Sequence, residues 1–136
     1  MVPQRTIESV MTPYPYSIEV DAAAASAKAL MTQFNVHRLP VTEDGAVVGV
    51  VSEWGIKKAA EGGWDVSPGS VARVRDVYTR EVYTVAPEEP LVDVLAMMAA
   101  KNIETVVVVR AGKLTGIFTS GDACKRYAEM LKAQAH

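Results

Sequence analysis

Apolar and polar residues follow one pattern twice along this chain. Between positions 87 and 102, Leu91, Val94, Leu95 and Met98 stand at i, i+3, i+4 and i+7, a spacing that gathers them on one face of a helix. Positions 22–34 are alanine-rich and predict an earlier helix, with Asp21 placed to cap its start and Asn35 to end it. A short strand precedes each helix, at 16–20 and at 82–86. Two strands follow each, at 38–42 and 46–52 and then at 105–110 and 114–119. The run at 105–110 is β-branched and short, as a buried strand should be. Asp44-Gly45 reads as a hairpin turn, and Ala111-Gly112 turns the chain at the matching place. A further helix is expected over 53–60. Another opens at Asp122 and carries Ala123, Tyr127, Met130 and Leu131 on one side. Short helical turns lead each half, at 6–11 with Thr6 or Ser9 as cap, and at 71–78. Positions 12–15, with two prolines, are extended.

The recurrence is in register. A shift of 67 residues lays 10–54 on 77–121 without a gap. Gly45 then meets Gly112, Gly49 meets Gly116, Asn35 meets Asn102, Met31 meets Met98 and Val41 meets Val108. Ser52 meets Thr119 and keeps a hydroxyl in place. The matches fall at turn glycines, at helix-to-strand junctions and in strands expected to be buried. The chain therefore reads as two β-α-β-β-α repeats of a mixed α/β (α+β) fold, at 7–60 and 71–131, joined by a breaker-rich linker at 61–70. Two copies packed about a pseudo-twofold axis place function in the cleft between them.

Bulk properties narrow the function classes. With 136 residues, two small halves are expected to share a core. A net charge of -2 offers no general attraction to nucleic acid. No apolar run approaches the roughly 18 residues of a membrane span, and no apolar leader core follows the start. Cys124 is the lone cysteine and has no internal disulfide partner, so a reducing cytoplasm is the expected compartment. Its expected state is a small buried thiol. Two histidines and one cysteine do not suggest a transition-metal site. There is no evident nucleophile–base arrangement and no phosphate-cradling Walker loop, so an enzyme is not expected. Trp54 and Trp64 fit either a dimer contact or ordinary packing.

Candidate chemistry concentrates at Gly116-x-x-Thr119-x-x-Asp122. A glycine lets the strand approach another surface closely. Thr119 then offers a hydroxyl beside helix-start amides that favour anions, which together suit a phosphate. The Asp122 carboxylate can accept two hydrogen bonds from the vicinal hydroxyls of a ribose. The competing reading of Asp122 is a helix N-cap. In the first repeat Gly55 takes the matching position, so that copy lacks the carboxylate. His37 and Arg38 occur once only, matched by Glu104 and Thr105. Arg38 fits either a phosphate contact or a solvated surface, and His37 either accompanies it or sits at a helix end.

These motifs, with His37-Arg38-Leu39-Pro40-Val41 and Gly49-Val50-Val51-Ser52, resemble the tandem cystathionine-beta-synthase-type (CBS) domain pair. The first segment is also similar to regulatory gamma subunits of AMP-activated protein kinase. The resemblance spans nearly the whole chain. It implies a regulatory, ligand-sensing module with an adenine nucleotide (AMP, ADP or ATP) in the cleft, no required cofactor, and pairing into a homodimer. S-adenosylmethionine, or a ligand-free scaffold acting through dimerisation, is the alternative. An effector enzyme or transporter is the implied target. The resemblance gives Asp122 the ribose and Thr119 a phosphate. It places the adenine by Thr84, Val85 and Ile103, with Val106 adding to the wall, although for Val85, Ile103 and Val106 a plain core is the stronger reading.

Overall fold

In the computed structural model, residues 5–135 are described. In chain order the elements are a 3-10 turn (Ile7–Ser9), β1 (Thr12–Pro13), β2 (Ile18–Glu19), α1 (Ala24–Phe34), β3 (Arg38–Glu43), β4 (Ala46–Ser52), α2 (Glu53–Glu61), α3 (Val74–Val77), β5 (Tyr83–Val85), α4 (Leu91–Lys101), β6 (Thr105–Arg110), β7 (Lys113–Thr119) and α5 (Ser120–Ala133). They form two compact units. One takes the chain up to Tyr14, then Tyr83–Ala111 and everything from Thr115 onward; the other takes Pro15–Val82 with Gly112–Leu114.

Packing units and sequence repeats differ in one respect. Ile7 and Val10, which lead the first repeat, lie in the core of the second, with Val85, Val94, Met98, Val106, Val108 and Phe118. Val74, which leads the second repeat, completes the other core beside Ala27, Met31, Leu39, Val41, Val51 and Ile56. Each leading segment is thus exchanged into the other copy.

Backbone bonds anchor the exchange twice over. The Leu91 N–H at the start of α4 donates to the Arg5 carbonyl (2.8 Å), and the Ile7 N–H donates to the Glu89 carbonyl (2.9 Å). In the other unit Ala24 donates to the Ala72 carbonyl (2.9 Å) and Val74 to the Ala22 carbonyl (2.8 Å). A helix start leaves amides unpaired, and here a neighbouring backbone satisfies one of them. This corrects the expected side-chain cap. Asp21 does not cap α1, whose N-cap is Ala23 without a side-chain bond. Asp21 instead receives Arg75 at 2.8 and 3.0 Å, and Arg75 also reaches Glu43 at 3.2 Å. Those two carboxylates hold the guanidinium pKa above its ordinary value. Likewise α4 begins at Leu91 rather than at 87, with Pro90 as its N-cap. Thr6 occupies an N-cap position, but its side chain makes no capping bond.

The unit built on the second repeat has sheet order β1-β7-β6-β5, with β1 antiparallel to β7 and β5 parallel to β6. The other has order β2-β3-β4, with a parallel β2–β3 pair and an antiparallel β3–β4 hairpin. Both hairpin turns carry two residues at positive φ, Asp44 and Gly45 in one, Ala111 and Gly112 in the other. That is the turn geometry suited to a two-residue hairpin loop. Asn35 and Asn102 each end their helix in the left-handed region, at φ 52° and 53°, as expected. Val94 and Met98 of the α4 stripe are buried, while Leu95 stands 37% exposed.

The exchanged segment passes directly over a glycine in each unit. Thr12 and Pro13 pair with Ile117 and Gly116, and Thr79 bridges to Val50 beside Gly49. A Cβ on Gly116 would collide with the Met11 side chain, and one on Gly49 with the Thr79 carbonyl and the Tyr78 ring. Met11 is flexible and the Thr79 carbonyl is backbone, so the costs should differ. Overpacking of this kind costs typically about 1–3 kcal/mol. In urea unfolding, Gly49→Ala is expected near the top of that range and Gly116→Ala near the bottom. Met11→Ala should relieve Gly116→Ala but not Gly49→Ala. Losses under about 0.5 kcal/mol for both glycine variants, the size of an ordinary surface change, would contradict the close approach.

Candidate functional site

The corner where β7 runs into α5 begins with Thr119, whose extended backbone (φ -115°, ψ 165°) makes it the N-cap of α5. A serine or threonine followed three residues on by an acid has the makings of a capping box. The Asp122 N–H donates to Thr119 Oγ1 (3.2 Å), while Asp122 Oδ2 accepts from the Thr119 N–H (2.9 Å) and hydroxyl (3.0 Å). Asp122 is therefore not the N-cap but the third helical residue of the box. Its carboxylate has about four acceptor sites, and the box occupies two of them, both on Oδ2. Oδ1 retains its capacity to accept. Thr119 Oγ1 is more committed: its one proton goes to Asp122 and one lone pair takes the Asp122 amide. The Ser120 N–H donates to the Glu104 carbonyl at 2.9 Å.

Asp122 faces a groove of about 290 Å³ within this unit. One wall is the exchanged segment Val10, Met11, Thr12 and Pro13; the other is Asp122, Lys125, Arg126 and Glu129 of α5. The sequence reading named only Asp122 among these. The missed signal was the i, i+3, i+4, i+7 spacing of those four charged residues, which puts them on one helix face. The wall from 10 to 13 belongs to the other repeat, so no local motif announces it.

The remaining expected residues of this unit lie on and beside β5 and β6. Thr84 is exposed on β5, opposite Val107 of β6. Val85 and Val106 belong to the core, at 8% and 0% exposure. The side chain of Val106 packs in this core. Ile103 is half-buried against the same core, and its N–H donates to the Met98 carbonyl (2.9 Å). Close by, Thr105 Oγ1 is buried without a hydrogen-bond partner. Burial, reinforced by the charges of Glu89 and Asp93, raises the pKa of the Tyr83 phenol. At the end of this segment Glu88 is held below the usual carboxylate range, first by its own backbone amide and then by Arg110 at 2.6 Å.

The equivalent corner of the other unit is built alike but lacks the acid. Ser52 caps α2 and its Oγ accepts from the Gly55 N–H at 2.9 Å. The Glu53 N–H donates to the His37 carbonyl (2.9 Å), repeating the Ser120–Glu104 bond. Glu53 does not turn back to stand in for the missing carboxylate; its Oε2 meets His37 Nδ1 at 2.9 Å. Arg38 is the first residue of β3, half-buried and opposite Ser52. The structure thus gathers His37 and Arg38 at the Ser52 corner of one unit, and Thr119 and Asp122 at the corner of the other. Cys124 is exposed rather than buried. Trp54 is 68% exposed, with Lys58 Nζ 4.6 Å from its ring centroid, and Trp64 is 48% exposed. No three His, Cys, Asp or Glu side chains among the described residues gather as a metal site. Among the same residues no helix is long and apolar enough to cross a membrane.

Among curated proteins the chain is similar to a homoserine O-acetyltransferase of Methanococcoides burtonii, at 30% identity over 86% of this chain. The match spans only 23% of that protein, so the chain corresponds to about a quarter of it. Among solved structures it is similar to the CBS domain pair of protein MJ0100 in complex with 5′-methylthioadenosine and S-adenosyl-L-methionine (TM-score 0.79, 24% identity, 94% of this chain and 99% of that one). It is also similar to CBSX2 in complex with AMP (TM-score 0.75, 24% identity, 92% and 97% covered). At these identities the two structures speak for the fold. The duplicated corner and its glycine, found here in each unit, coincide with the family-model matches. Residues 7–62 and 74–129 each match the CBS domain, and the chain belongs to that family.

Proposed function

We propose that the chain is a regulatory, ligand-sensing module that binds an adenine nucleotide (AMP, ADP or ATP) at the Thr119–Asp122 corner. One observation carries this reading: Asp122 is held by a capping box, faces a groove, and keeps one carboxylate oxygen with acceptor capacity. A ribose offers two neighbouring hydroxyls as donors to such an oxygen. We assign the base to the backbone around Thr84 and to the Ile103 carbonyl, the Ile103 N–H being given to Met98. The corner with Gly55 has no carboxylate and clasps no sugar. Support also comes from the AMP complex of one structural neighbour. The other neighbour's complex with S-adenosyl-L-methionine keeps that compound as the second reading.

Binding, rather than catalysis, is the role we assign to this corner: the Thr119 hydroxyl and Asp122 Oδ2 are spent on each other in the capping box. Ligand binding regulates by favouring whichever arrangement of the chain binds more tightly. Tyr127, Met130 and Leu131 leave apolar surface exposed on α5, which suits pairing with a second copy; a separate enzyme or transporter is the proposed target.

A thermal-shift panel of AMP, ADP, ATP, NAD, S-adenosylmethionine and GTP tests the reading. A true ligand at 100 times its Kd should stabilise the fold by about 2.7 kcal/mol. A flat response across the panel would remove the sensor assignment. Asp122→Asn keeps an acceptor for the Thr119 amide while discarding the charge. It should weaken nucleotide binding about tenfold or more, that is by about 1.4 kcal/mol or more. Calorimetry giving the wild-type affinity would strip Asp122 of the sugar.

A further inference from the structure

We propose that Lys125 and Arg126, one helical turn beyond Asp122, form the anion-binding end of the groove and set how many phosphates the ligand carries. This rests on the sugar being held at Asp122. The phosphate was expected at Thr119, but the capping box commits that hydroxyl: its proton is given to Asp122 and it accepts the Asp122 amide. The Ser120 amide is likewise given to the Glu104 carbonyl. A phosphate leaving a sugar at Asp122 therefore finds neither that hydroxyl nor that amide free to donate.

The groove supplies donors along α5. Asp122, Lys125, Arg126 and Glu129 all line it, over roughly 10 Å of helix at 1.5 Å per residue. The facing wall, Val10 to Pro13, brings apolar groups and one hydroxyl but no charge. The groove's electrostatics therefore come from these four side chains. Asp122 turns its Oδ2 into the capping box, toward its two donors. Glu129 is drawn to Arg126 only at 3.8 Å, with both side chains about half exposed (54% and 51%), a weak and replaceable pair. Among the described residues Lys125 has no ion-pair partner. An arginine fork beside a lysine point charge is suited to phosphate oxygens.

The test is calorimetry of the wild type and a Lys125→Gln/Arg126→Gln variant with adenosine, AMP, ADP and ATP. Glutamine keeps helix propensity close to that of the residues it replaces. Wild-type affinity is expected to rise at least about tenfold from adenosine to ATP, and that ratio should shrink as salt screens the charges. In the double variant the ratio should collapse to under about threefold, with adenosine binding unchanged within about twofold, since only the anion site has been removed. A ratio that persists in the variant overturns the proposal, as does a flat wild-type series in which adenosine binds as well as ATP; in both cases the sugar site at Asp122 stands. If neither adenosine nor any of its phosphates binds the wild type, the sensor reading falls and this inference with it.

Discussion

The close approach of one backbone to another at Gly49 and Gly116 is the constraint on which the units depend. Each glycine sits in the last strand of its repeat, and across it lies the segment that leads the other repeat. With no side chain at that position, the leading segment can settle against the strand and send Ile7 and Val10, or Val74, into the core. The backbone bonds at Leu91 and Ala24 then give each helix start an acceptor that its own side chains do not provide. Remove the close approach, and a core residue, a helix cap and a groove wall are all displaced together.

The capping box has a similarly wide reach. It fixes the orientation of Asp122, which makes the carboxylate a prepared acceptor rather than a mobile surface acid. Preorganisation of this kind lowers the ordering cost of binding. The same bonds tie up Thr119, and that shifts attention from the helix terminus to the side chains one turn further on. In the other copy, Gly55 leaves Ser52 as a simple cap, and Glu53 is drawn off to His37. The duplicates share architecture while differing in the carboxylate at the corner.

Much of the local structure was legible beforehand. Gly45 and Gly112 announced their turns, Asn35 and Asn102 their helix ends, and the run at 105–110 its buried strand, because turn chemistry and β-branching act through near neighbours. Asp21 was misread for a physical reason: Asp is a good cap, but Arg75 lies 54 residues along the chain, and its two-pronged bond wins the carboxylate. Proline and acidic residues at 87–90 suggested an early start to α4, whereas the true start depends on the Arg5 carbonyl. Lys125, Arg126 and Glu129 are spaced as any solvated helix face is, and only the wall opposite them marks them as a groove lining.

The sequence alone determined that the fold is duplicated, which elements make up each copy, and that only the second copy has an acid at the corner. These are matters of periodicity, turn residues and residue identity at matched positions, all local. Tertiary structure decided which leading segment joins which core, where Asp122 spends its hydrogen bonds, and that Val106 is packed into the core. Those outcomes turn on contacts between residues far apart in the chain, whose geometry no short stretch of sequence encodes.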